Sequence, residues 1–184
     1  MSLARRAFMK TGLGLVAGAA TLAGAPLALA FPEASVRRLG FDNLHTGERL
    51  DIAYWENGAY VPDALTAVNH VLRDHRNNEV HVIEPTLLDL LTSLSGRLET
   101  RPAFEVISGY RSPASNALLH ERSSQVASGS LHMVGKAIDI RLGGVELTHL
   151  RDVALGLGLG GVGYYPTSDF VHVDVGRVRQ WSGA

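Results

Sequence analysis

Apolar and polar residues alternate from Arg37 to Asn43 and again from Glu48 to Glu56, where Leu50, Ile52 and Tyr54 share one face. Thr46-Gly47 lies between the two runs. A period of two on either side of a turn dipeptide predicts a short hairpin. The period then changes. Leu65, Val68, Val71 and Leu72 recur at helical spacing within Pro62 to Arg76, and Pro62 suits a first helical turn. Leu87, Leu88, Leu91 and Leu94 repeat the pattern within Glu84 to Leu98. Phe104 to Ser108 reads as a strand opening into Gly109-Tyr110, Ser115 to Arg122 as a short helix, Gly135 to Leu142 as a strand, and Glu146 to Leu157 as a helix. Gly160 to Tyr165 and Phe170 to Val175 read as a strand pair around Pro166-Thr-Ser-Asp169. Helices come first, then strands interrupted by helices, then hairpins. That order predicts an α+β domain, with flanking helices on a small antiparallel sheet.

The first thirty residues stand apart from these elements. Ala4-Arg-Arg-Ala-Phe-Met-Lys10 places twin arginines ahead of a stretch of Gly, Ala, Leu, Thr and Val, broken by Pro26 and ending in Ala28-Leu-Ala30. This is the pattern of a signal peptide for the Tat route, cleaved after Ala30. An uncleaved anchor would place the domain in the same compartment, the periplasm. The domain itself is then expected over residues 31–184. The signal carries Arg5, Arg6 and Lys10 and no acid, so the rest of the chain is more acidic than the net −1 of the whole. No basic patch points to nucleic acid. Cysteine is absent, which rules out disulfides, thiolate ligands and a cysteine nucleophile. A metal site would have to be built from His, Asp and Glu.

Two imidazoles and a carboxylate are spaced to close around one ion. His132 follows a loop of small polar residues, and Asp139 comes seven residues later in a predicted strand, with Gly135 between them able to reverse the chain. In Phe170-Val-His-Val-Asp174, alternation puts His172 and Asp174 on one face and Val171 and Val173 on the other. Three protein ligands leave a fourth position open, as in catalytic zinc sites. The other six histidines have no comparable company, and a solitary histidine is most often a surface or core residue.

Ser130-x-His-x-x-Gly-x-Ala-x-Asp139 resembles the signature of the zinc D-Ala-D-Ala peptidases, which share their fold with the signalling domain of hedgehog proteins. The likeness extends to Ser108-Gly-Tyr110-Arg-Ser112, Asn116 and Asp169-x-x-His172. Gly160-Gly-Val-Gly-Tyr-Tyr-Pro166 and Val178-Arg-Gln-Trp181 are similar to the exported, murein endopeptidase-like branch. The resemblance implies one Zn²⁺ per chain held by His132, Asp139 and His172. It also implies Asp169 as general base, Arg111 steadying the substrate carbonyl and oxyanion, and peptidoglycan peptides as substrate, with endopeptidase cleavage of a cross-link favoured over D,D-carboxypeptidase trimming of a C-terminal D-residue. Ser130, Tyr110 and Asn116 belong to the same motifs and are expected to support the site or touch substrate.

A question of parity remains. Asp169 and His172 are an odd number of positions apart, so on a regular strand they face opposite sides. Asp169 reaches the site only from a turn before the strand; otherwise Asp174 is the better partner for His172, as orienting acceptor or as base. Two other classes compete with the peptidase: a non-catalytic wall- or partner-binding module of the same fold, and a serine hydrolase using Ser108, Ser112 or Ser130. Neither a Gly-x-Ser-x-Gly elbow nor a Ser-x-x-Lys pair is present for the latter.

Overall fold

The computed structural model describes residues 36–99, 102–123 and 126–183. The expected signal, residues 1–30, lies outside the described residues, and among these no helix is long and apolar enough to cross a membrane.

Strands β1 (Val36–Asn43) and β2 (Arg49–Glu56) form the hairpin read from the alternation. Asn43 Oδ1 accepts from the amides of His45 and Thr46, and Gly47 supplies the left-handed φ of 72° that turns the chain. A two-residue strand, β3 (Ala59–Tyr60), pairs antiparallel with the end of β2. Helix α1 (Pro62–Val71) starts at its proline but stops five residues short of the expected Arg76. The reason is local. Asp74 accepts from the amide of Arg76, and Asn78 sits at φ 60°, so side-chain bonds take over from the helical ladder. Helix α2 (Pro85–Arg97), strand β4 (Phe104–Ser108) and helix α3 (Pro113–Arg122) follow, α3 capped by Ser112 Oγ. A 3₁₀ turn (Leu131–Val134) leads into β5 (Ala137–Leu142), then α4 (Leu147–Leu157), β6 (Gly161–Tyr165), β7 (Phe170–Asp174) and β8 (Arg179–Ser182).

All eight strands join one sheet in the order β3-β2-β1-β4-β5-β7-β6-β8. The sheet is larger than the strand pattern suggested. It is also mixed, because β1 pairs with β4 and β6 with β8 in parallel. One face carries the core. Phe41, Phe104, Val106, Ile138, Ile140, Val171 and Val173 pack with Leu87, Leu88, Leu91 and Leu94 of α2 and Leu150 of α4, all buried. Each such side chain contributes about 1.5–3 kcal/mol by leaving water. Alternation then sends Asp139, His172 and Asp174 to the opposite face. Hydrophobic burial on one side of β5 and β7 therefore fixes the polar constellation on the other.

Candidate metal centre and active site

The ligand candidates are brought together by the sheet register and one capped turn. Asp139 and His172 lie directly opposite each other across β5 and β7. His132 arrives on the 3₁₀ turn, whose first amides are met by Ser130: its Oγ accepts from the His132 amide at 3.3 Å. Gly135 ends the turn at φ 66° against the loop at Val82, where a Cβ would lie 2.1 Å from the Val82 carbonyl oxygen. Only glycine fits there, and the tight approach returns the chain to Asp139 on β5.

His132 Nε2, Asp139 Oδ1 and His172 Nδ1 converge: 3.2 Å separates His132 from Asp139, 3.1 Å the two imidazoles, and 2.8 Å His172 from Asp139. The outer nitrogens are committed elsewhere. His132 Nδ1 donates to the Gly109 carbonyl at 2.6 Å, and His172 Nε2 donates to Asp174 Oδ2 at 3.1 Å. In their neutral forms, imidazoles held this way turn bare lone pairs inward, toward a buried carboxylate. Three facing lone pairs repel one another unless a proton or a metal cation lies between them, and the donor set fits a divalent ion. Burial pushes the His132 imidazole toward its neutral form, against the pull of Asp139. Burial would raise the Asp139 carboxyl, but the positive charge and N–H donation of the imidazoles in their protonated forms hold it well below the usual carboxylate range, and Asp139 and Asp174 in turn raise His172 against the effect of burial.

Asp174 is heavily engaged as an acceptor. Its Oδ1 accepts from the amides of Gly161 and Gly176 and from Arg179, and its Oδ2 accepts from His172 and Arg179. Burial alone would raise this carboxyl, yet these donors hold it far below the usual range. Its position is that of a group that orients His172. Asp169 precedes β7 in a turn, with φ 54°, and its exposed carboxylate accepts from Arg141 Nη1 at 2.6 Å. Arg141 lies two residues after Asp139 on β5 and so shares its face. The left-handed turn thus lets Asp169 pair with a side chain of the ligand face, while Asp169 itself lies outside the lining of the cleft, to which its neighbours Ser168 and Phe170 contribute.

Arg111 is nearly buried, with Nη2 3.6 Å from Asp139 Oδ2, Nη1 donating to Asn116 Oδ1 at 3.4 Å and Nε without a partner. Desolvation lowers its pKa and Asp139 opposes that shift. Asn116 in turn donates to the carbonyls of Ala127 and Ser128, tying the loop before His132 to Arg111. Tyr110 stands apart. It donates to Glu79 at 2.9 Å and stacks on His81, outside the lining of the cleft. The cleft itself is about 410 Å³, lined by Arg111, His132, Asp139 and His172 together with the aromatic rings of Tyr165, Phe170 and Trp181. The serines offer no nucleophile: Ser112 caps α3, Ser130 caps the 3₁₀ turn, and Ser108 Oγ is buried without a partner.

A family profile described as "Peptidoglycan L,D-endopeptidase MepK" matches residues 32–181. The chain belongs to the MepK family. Peptidoglycan L,D-endopeptidase MepK of Escherichia coli (strain K12) is 41% identical over 169 residues, covering 92% of this chain and 93% of that relative. Probable peptidoglycan L,D-endopeptidase MepK of Haemophilus influenzae is 44% identical over 148 residues, 80% of each chain. Membership of the MepK family bears out the zinc-peptidase resemblance drawn from Ser130–Asp139 and the α+β fold it implied. The structure also brings to the site or its neighbours groups to which sequence reasoning gave no role: the Gly109 carbonyl on His132, Arg141 on Asp169 and, within the quoted Val178–Trp181 motif, Arg179 on Asp174. A signal for Arg179 was present in Gly160-Gly-Val-Gly163, since a Cβ on Gly161 would lie 2.3 Å from Arg179 Nη1.

Proposed function

We propose that this protein is an exported, zinc-dependent peptidoglycan endopeptidase that hydrolyses an internal amide bond between L- and D-configured residues of peptide cross-links. The observation that carries the reading is the convergence of three inward-facing donor atoms beside Arg111, whose Nε is buried without a partner. The names of the relatives supply the bond class and the polymer.

In this reading His132, Asp139 and His172 would hold one Zn²⁺, which would supply Lewis acidity toward the carbonyl and lower the pKa of water to about 7. Gly109 and Asp174 fix the imidazole tautomers, so both rings present the nitrogen a cation needs. Arg111 donates to the scissile carbonyl oxygen as negative charge develops there. Losing one such donor costs roughly 10²–10³ in rate. Asp169 takes a proton from the attacking water and delivers it to the leaving amine nitrogen. The saturated environment of Asp174 favours Asp169 over it for this task. Arg5-Arg6 address the chain to the Tat route and thereby to the periplasm, where its polymer lies.

Digestion of cross-linked muropeptides with and without a chelator, with products read by mass, tests metal dependence and bond together. Loss of cleavage with chelator and recovery on adding zinc are expected. A zinc-loaded protein that leaves every cross-link uncut would instead support a non-catalytic binding module.

A further inference from the structure

Arg141 is the one cation in contact with Asp169 among the described residues, and it belongs to no motif that marked the site. Its guanidinium is gripped from both sides. Nε donates to Glu105 Oε2 at 2.5 Å and Nη1 donates to Asp169 Oδ2 at 2.6 Å. Glu105 and Arg141 are register partners across β4 and β5, so the grip rests on neighbouring strands of the sheet rather than on loops. Its far end is less well supported. Asp169 is an exposed residue at φ 54°, a backbone conformation that non-glycine residues seldom adopt. A carboxylate in such a turn has no reason of its own to stay on the ligand side of the sheet. An exposed ion pair contributes little to stability, so the consequence of this one is directional.

We propose that Arg141, braced by Glu105, is a positioning residue that holds the Asp169 carboxylate on the sheet face carrying Asp139 and His172. The proposal rests on the reading of Asp169 as the proton carrier. Arg141 itself touches neither ligand nor substrate in this account. Its shape matters as much as its charge, because one nitrogen must reach Glu105 while another reaches Asp169. A misplacement of about an ångström in a reacting group can cost up to roughly 100-fold in rate. Removing Arg141 should therefore lower kcat and leave KM nearly unchanged, since substrate contacts are untouched.

The test compares full-length, zinc-loaded Arg141→Gln, Arg141→Lys, Asp169→Asn and the Arg141→Gln/Asp169→Asn double variant on cross-linked muropeptide dimers. Zinc content and melting temperature are measured alongside. Arg141→Gln is expected to lose about 10- to 100-fold in kcat with zinc and melting temperature unchanged. Arg141→Lys should recover part of the loss, and the double variant should be no slower than Asp169→Asn alone. Full activity or a rise in kcat for Arg141→Gln, or losses that multiply in the double variant, would overturn the positioning role while leaving Asp169 as base. An active Asp169→Asn enzyme would remove the reading beneath the proposal, and the proposal with it.

Discussion

The indole of Trp181 lies against the backbone of Gly163, where a Cβ would come within 2.6 Å of its ring. Gly163 is register partner to both Trp181 on β8 and His172 on β7. The missing side chain therefore makes room for an aromatic wall beside a metal-ligand candidate, with the Trp181 and His172 rings 5.1 Å apart. Trp181 is held in place by donation to the Tyr165 hydroxyl at 2.8 Å. Gly163→Ala should force the indole away, destabilise the fold by about 1–3 kcal/mol, and shift the emission of one of the chain's two tryptophans. Thermal melts and fluorescence read both; an unchanged spectrum and melt would refute the packing argument.

His132→Ala should release zinc, since two protein donors remain where three converged. Metal analysis after dialysis should give well under one ion per chain. An undiminished one-to-one content would show that His132 is not a ligand.

Asp174→Asn tests the orienting role separately. An amide cannot accept from the amides of Gly161 and Gly176, from His172 and from Arg179 together. The His172 tautomer should loosen and zinc affinity fall by roughly 10- to 100-fold. A competition titration against a chromogenic chelator measures this. Wild-type affinity would mean that His172 needs no such partner.

Away from the cleft, Asp74 predicts a pH dependence of stability. Burial would raise its carboxyl, but the Ser115 side chain, the Arg76 and Ser112 amides and the Ser112 side chain outweigh burial and lower it to about 2. A depressed native pKa gives stability that is fully present above the unfolded value, near ~4, and lost as pH falls toward 2. The melting-temperature advantage of wild type over Asp74→Asn, both metal-free, should be constant above about pH 4 and shrink steadily below it. Parallel curves down to pH 2 would contradict this.

What could be read from the chain follows the range of the interactions involved. The β1–β2 hairpin and helix α2 were legible because alternation and leucine spacing are local properties. The end of α1 was not, because Asp74 diverts the backbone through bonds that periodicity ignores. Strand β8 escaped notice for a different reason: Arg179–Ser182 has no apolar alternation, and it is strand only because β6 offers an edge. The parallel pairing of β1 with β4 likewise joins segments far apart in sequence. In the site, His132, Asp139 and His172 were marked by residue type and spacing. The Gly109 carbonyl carries no side-chain signature, and Arg141 looks like any surface arginine until the register puts Glu105 across from it.

Asp174 gathers donors from three strands: the amide of Gly161 at the start of β6, Arg179 at the start of β8, and His172 two residues before it on β7. Completion of the sheet edge and preparation of the imidazole are thus one event. A copy whose last strand has not yet docked lacks the counter-charge that keeps Asp174 fixed, and with it the ring orientation that a cation requires. The C-terminal edge of the sheet and the orientation of His172 are therefore stabilised by the same buried carboxylate.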